Sequence, residues 1–251
     1  MKFGIISYHR SERQKTLEYL IENGVPKENI ILSLNDQEDL KDYTAKYSRY
    51  AEIIFRKKNN AAGNRNTILE HIGPGQRLIL LDDDVKGFAK WVPEGGAHGK
   101  MSKASFSEFM QVAEEGFSVV EGFGGRLFGF YPTGNSMFIH QTLQGDGTYS
   151  FNKLFQGGCV GIITSEDRFD ERIPVCDDYD FICGQIARNR TVVRINNFTA
   201  LKEKDFSTKG GCYEAYQNGA QKRALIMISK KYQKLVTVKK DYTGLRLKKG
   251  R

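Results

Sequence analysis

The chain is short of several residue types, and each shortage removes a class of explanation. Only 5 of its 251 residues are proline and 4 are cysteine. The cysteines, Cys159, Cys176, Cys183 and Cys212, form no C-x-x-C pair, so neither a zinc ribbon nor a disulfide framework is expected, and the thiols read as reduced. No apolar run reaches the length of a membrane span, and the apolar stretch at 3–6 is too short for a signal sequence. No internal repeat and no low-complexity tract is visible. With 39% apolar and 27% charged residues, what remains is a soluble, cytoplasmic protein with no membrane partner. Its length allows one large domain, or one domain with an appendage, and a sizeable core.

The charge is present but uneven. Net charge is +8, yet residues 199–251 hold 14 Lys and Arg against 4 Asp and Glu. The preceding 198 residues hold 24 against 26. A near-neutral body therefore carries a basic C-terminal segment, with paired charges at Lys222 and Arg223, Lys230 and Lys231, Lys239 and Lys240, and Lys248 and Lys249. Such a surface attracts polyanions by releasing their counterions. A solubilising face with a basic tail is the alternative reading.

The most informative stretch is at 77–84. Leu78, Ile79, Leu80 and Leu81 are four aliphatics in a row, the pattern of a strand buried on both faces in a parallel sheet. The strand runs into Asp82, Asp83 and Asp84. Three adjacent carboxylates repel one another unless a cation sits among them. On an extended backbone Asp82 and Asp84 point the same way. Clustered carboxylate oxygens suit Mg²⁺ or Mn²⁺, and Mg²⁺ commonly joins one or two carboxylates to substrate phosphates. The pattern predicts a nucleotide-diphosphate site; a solvated acidic turn is the plainer alternative.

Around it, strands and helices alternate. Strands are expected at 2–7, 30–34 and 51–55, and helices at 36–47 and 61–71. Another helix follows a capping-box pattern at Ser11 and Gln14 and is closed by Gly24 and Pro26. This order predicts a doubly wound parallel α/β sheet, whose ligands bind at the C-terminal ends of the strands. Ser7, Tyr8, Arg10 and the three aspartates then line one sheet edge. Further on, 105–120 is an amphipathic helix. The aromatic runs at 126–131, 137–140 and 148–155 read as added antiparallel strands. Residues 91–99 form a glycine-rich loop of the kind used as a lid. A helix over 213–231 and a basic hairpin over 234–249 end the chain.

Two more constellations carry chemistry. Small residues from Asn60 to Gly63 open a helix, letting a phosphate approach backbone N–H groups beside Arg65 and Asn66; a plain helix start is the alternative. Gly157 and Gly158 lead into a strand. Cys176, Asp177, Asp178 and Asp180 then open a helix, where acids favour the N-terminus and a carboxylate is placed to deprotonate an acceptor hydroxyl.

In this order and spacing the residues resemble the GT-A family of nucleotide-sugar glycosyltransferases, from Phe3 to about Gly211. The resemblance implies an α/β fold with a Rossmann-like nucleotide-sugar half at 1–90, a mixed central sheet, an acceptor half at 91–211 and a basic appendage at 212–251. It implies that Asp82 lies near the nucleotide ribose, that Asp84 with Asp82 serves the metal, and that Asp178, beside Asp177, is the general base of an inverting transfer. Ser7, Tyr8, Arg10, Arg65, Asn66, Asp83, Gly157 and Gly158 fall on the donor side. Many members add a late histidine ligand; here His9, His71, His98 and His140 all precede Asp177.

Within that superfamily the chain is most similar to the phage TET-associated DNA glycosyltransferases. The similarity rests on 80–84, 127–132, 156–158 and 176–181, with Lys209, Gly210 and Gly211 downstream. It implies a UDP-sugar donor, Mn²⁺ or Mg²⁺, and transfer onto 5-hydroxymethylcytosine or a related hydroxymethylpyrimidine in DNA, in the host cytoplasm. The basic segment would hold DNA phosphates, and Trp91, Tyr131 or Phe155 would stack a flipped base. The alternatives are transfer to a protein or glycan and a non-catalytic DNA-binding domain. A sugar nucleotidyltransferase is disfavoured, since 7–12 holds no glycine for its nucleotide loop.

Overall fold

The computed structural model describes residues 1–58, 60–202 and 218–248. Its centre is an eight-stranded mixed sheet. β1 (Lys2–Ser7), β2 (Ile30–Leu34), β3 (Glu52–Phe55) and β4 (Arg77–Asp82) are parallel, in the order 3-2-1-4. α1 (Lys15–Glu22), α2 (Gln37–Tyr47) and α3 (Ala61–Ile72) connect them. Ile5 pairs with Leu32 on one side and Leu81 on the other, so all three carboxyl ends reach the same edge.

Beyond β4 the sheet continues through β9 (Cys159–Ile163), β7 (Leu127–Phe130), β10 (Val192–Ile195) and β8 (Tyr149–Phe151). β9 is antiparallel to both β4 and β7, so parallel order breaks beside the acidic strand. β5 (Val85–Val92), β6 (Lys100–Ala104) and β11 (Phe198–Lys202) form a separate antiparallel sheet. β5 starts one residue after Asp84, and Val85 pairs with Lys202 at the end of β11.

Side-chain alternation along the strands separates two cores. Leu78 and Leu80 join Ile31, Ile68, Val160 and Ile162 on one face. Ile79 and Leu81 join Ile5, Leu32, Phe109 and Phe117 on the other. α4 (Phe106–Gly122) covers the second face; Ser105 and Glu108 make the reciprocal cap at its start. α6 (Asp177–Ala187) lies over the first, as does α7 (Ala220–Lys231), which contributes Ala224, Leu225 and Ile228 to the same core. Each fully buried aliphatic contributes about 1.5–3 kcal/mol before entropy is counted. A hairpin of β12 (Val236–Val238) and β13 (Leu245–Leu247) packs there too.

Three local expectations are corrected. The Ser11–Gln14 capping box does not form: α1 begins at Lys15, and the Gln14 amide is drawn inward to donate to Ser7 Oγ at 2.7 Å and the Arg10 carbonyl at 3.0 Å. Residues 137–140 belong to α5 (Ser136–Asp146), because the Asn135 side chain accepts from the Met137 N–H and starts a helix. Trp91 and Val92 are the end of β5, so the expected lid shrinks to the β5–β6 turn, where the Trp91 indole donates to the His98 carbonyl at 2.9 Å. The expected helical residues 213–217 and the Lys209, Gly210, Gly211 triplet lie outside the described residues.

Candidate active site

Six elements converge on the sheet edge: the ends of β1, β4 and β11, the turn before β9, the buried face of α3 and the first turn of α6. The three aspartates do different work. Asp83 turns inward and is 5% exposed. Its oxygens accept from Arg10 Nη1 at 2.8 Å and from Ser7 Oγ at 2.5 Å. Ser7 Oγ also meets the Tyr43 hydroxyl at 2.7 Å. Burial raises the Asp83 carboxyl pKa despite Arg10. Ser7, Arg10 and Asp83 thus form a hydrogen-bonded polar floor beneath the sheet edge.

Asp82 is clamped on both oxygens: Oδ1 accepts from Arg65 Nη2 at 2.9 Å and Oδ2 from Lys202 Nζ at 2.8 Å. Burial opposes its charge, but Lys202 and Arg65 outweigh that and hold the carboxyl at about 2. Asp84 is differently placed. Its Oδ1 is buried with no hydrogen-bond donor, and Lys202 Nζ stands 3.7 Å away. Burial pushes this carboxyl up to about 6. β4 ends at Asp82, and the turn that follows brings Asp84 round so that both carboxylates face the Lys202 ammonium from β11.

Arg65 is turned into the protein by α3, only 5% exposed. It bridges Asp82 and Asp177, joining the acidic strand to the start of α6. Its guanidinium is thereby paired with two carboxylates. At the start of α3, Asn60 Oδ1 accepts from the Gly63 N–H at 3.0 Å. Asn66 follows on the same helix. It is 2% exposed, and its amide is spent on the backbone of Phe169, at 2.8 and 3.0 Å.

Asp178 sits in the first turn of α6, which opens after Cys176 at φ 61°. The N–H groups of Gly157 and Tyr179 donate to it at 2.8 and 2.9 Å. Burial, then repulsion from Asp177, raises its carboxyl to about 6 against the pull of Arg65. It is thus a carboxylate with a proton affinity well above that of an ordinary aspartate, the property a general base needs near neutral pH.

The two glycines make room for side chains. A Cβ on Gly157 would lie 2.3 Å from Asp178 Cβ, and one on Gly158 would lie 1.8 Å from Lys202 Nζ. Glycine here leaves a slot for the Asp178 side chain and a slot for the Lys202 ammonium. Tyr8, 37% exposed, lies tilted against His9 with ring centres 3.9 Å apart. Of the other aromatics expected to stack a base, Phe155 is 1% exposed and belongs to the core. Tyr131 lies under Arg194 at 4.8 Å and Trp91 beside His140 at 5.8 Å.

Lys202 is the residue that sequence reasoning missed. It lies 120 positions from Asp82 and within a basic segment whose charges were read together as a polyanion surface. The alternation from Phe198 to Lys202 marks a strand but gives no sign of where it ends in space.

Among the described residues, no three His, Cys, Asp or Glu side chains gather in metal-ligating geometry. A divalent ion still fits the donor set as a site completed by substrate. Asp84 offers a buried oxygen with no donor, Asp82 faces the same cation, and diphosphate oxygens commonly supply the remainder.

A family model described as TET-associated glycosyltransferase matches residues 1–211. Among curated proteins, none matches the chain. Solved structures of similar fold include the mannosyltransferase PcManGT from Pyrobaculum calidifontis in complex with GDP-Man and Mn²⁺. It has 11% identity and a TM-score of 0.53, over 92% of this chain and 63% of that one. S. aureus TarS 1-349 in complex with UDP is also similar, at 11% identity and a TM-score of 0.50, over 91% and 66%. The chain thus spans less than two thirds of either structure, and the likeness is one of fold: a mixed α/β sheet of the GT-A type. No helix among the described residues is long and apolar enough to cross a membrane.

Proposed function

Since the chain belongs to the TET-associated glycosyltransferase family, we propose that it transfers a sugar from a UDP-sugar to the hydroxymethyl group of 5-hydroxymethylcytosine, or a related hydroxymethylpyrimidine, in DNA. The observation that carries this reading is the array Asp178–Asp177–Arg65–Asp82–Lys202–Asp84, which joins a proton acceptor to a charge-compensated acidic pair. Asp178 takes the proton of the hydroxymethyl group as its oxygen attacks the anomeric carbon. The new C–O bond forms while the bond to the diphosphate oxygen breaks, and UDP leaves with that electron pair. Tyr8 stacks the donor's base. Mn²⁺ or Mg²⁺, held by Asp84 with Asp82, would offset the charge gathering on the leaving diphosphate.

The acceptor is supported by the distribution of charge. Lys222, Arg223, Lys230, Lys234, Lys239 and Lys240 are exposed on α7 and the following hairpin. Phosphate contacts of this type position a nucleic acid without reading its sequence. The protein should release UDP from a panel of UDP-sugars faster when hydroxymethylcytosine duplex is added than when unmodified duplex, a glycan or a protein is added. Stimulation by a glycan or a protein alone would keep the glycosyltransferase and remove DNA as its acceptor.

A further inference from the structure

Lys202 supplies the inference. We propose that Lys202 is a built-in competitor of the divalent ion: its ammonium holds the cation position of the Asp82–Asp84 pair, and metal loading requires it to move out. This rests on the reading that Asp82 and Asp84 serve a metal.

Three independent features support it. The ammonium is shared between the two carboxylates that the turn after β4 brings together, at 2.8 Å from Asp82 Oδ2 and 3.7 Å from Asp84 Oδ1. Its slot is built by the backbone, because any residue larger than glycine at 158 would place a carbon 1.8 Å from Nζ and 2.8 Å from Asp82 Oδ2. The far oxygen of Asp82 is already bonded to Arg65, which is itself buried and tied to Asp177. Only the Lys202 side of the pair is therefore exchangeable. Arg65 is tied to two elements, whereas Lys202 reaches in from the end of β11 on a flexible four-carbon stem.

The chemistry follows from charge. A lysine ammonium and a divalent ion cannot share one carboxylate cluster without strong repulsion, so binding of one disfavours the other. Before loading, Lys202 offsets the charge of the acidic pair. When donor and metal arrive, the displaced ammonium finds the diphosphate, an anion it is suited to meet. The ammonium thus lowers apparent metal affinity in the absence of nucleotide and leaves the metal best bound when UDP is present.

Mn²⁺ titrated into the full chain, with free ion followed by electron paramagnetic resonance and no sugar donor present, tests this without turnover. Lys202→Gln should bind Mn²⁺ at least about tenfold more tightly than the wild type. Lys202→Met, which removes the ammonium but keeps a stem of similar length, should shift affinity in the same direction. Asp84→Ala should abolish binding in every background. UDP should tighten Mn²⁺ binding strongly in the wild type and only weakly in Lys202→Gln. Unchanged or weaker Mn²⁺ binding in both folded variants, with Asp84 still required, would overturn the competition and leave the metal site standing. Absence of Mn²⁺ binding in every protein even with UDP would overturn the metal reading and this inference with it.

Discussion

At the scale of single residues, the proposed general base is Asp178. Burial and Asp177 raise its carboxyl to about 6, opposed by Arg65 and by the N–H groups of Gly157 and Tyr179. A general base acts only when deprotonated, so turnover should climb as pH rises through about 6 and level off above it. Asp177→Asn removes the like charge, and the rise should move to lower pH. A profile that stays flat from pH 5 to 8 would remove Asp178 from the role. The same shift has a sign in stability. The folded chain keeps a proton on Asp178 where the unfolded chain has lost it, so this group opposes folding as pH rises from about 4 to about 6. Asp82 does the reverse: held at about 2, it contributes stability above about 4 that is lost as pH falls towards 2. Both aspartates stand out in the sequence because acids rarely cluster without purpose. Lys202 does not, because only the fold brings it across 120 residues to Asp82.

At the scale of elements, Arg65 is the rivet between α3, β4 and α6. Replacing it with methionine takes the Arg65 partner from buried Asp177 and leaves Asp82 to Lys202 alone, and should cost about 3–5 kcal/mol in urea denaturation. A loss below about 1 kcal/mol would mean the two acids find other partners. Which elements were legible follows from what fixes them. β4 was, because four successive aliphatics are satisfied only between two apolar layers, and both layers are present. α3 and α4 were, because asparagine and serine caps precede periodic apolar positions. α5 was not: Met137, Phe138 and Ile139 look like a strand, and the decision belongs to a single cap at Asn135. β5 and β6 were hidden for a different reason. β5 pairs on one side with β6 across a local turn and on the other with β11, far along the chain, and that second pairing leaves no local pattern.

At the scale of the whole molecule, the basic C-terminal part shares the core of the body. Leu225, Ile228, Val236 and Leu245 pack with Phe181 and Val192. Lys231 ties α7 to Asp170 and Asp180. Charge that the sequence read as one surface is thus divided: Lys202 and Lys231 serve ion pairs within the protein, while Lys239 and Lys240 face solvent. Converting Lys239 and Lys240 to glutamine should weaken duplex retention equally for all sequences. It should also flatten the log-log salt dependence by up to about 2 units, read by filter binding at stepped salt. An unchanged slope would place the nucleic acid elsewhere on the surface.

The most direct measurement is nucleoside mass spectrometry on hydroxymethylcytosine duplex incubated with the protein, Mn²⁺ and UDP-sugars, beside unmodified duplex and an Asp178→Asn variant. The account predicts a sugar-sized mass gain on the hydroxymethylated nucleoside alone, reduced at least about a hundredfold in the variant. No gain on hydroxymethylated DNA with any donor, or a gain that Asp178→Asn leaves intact, would contradict it.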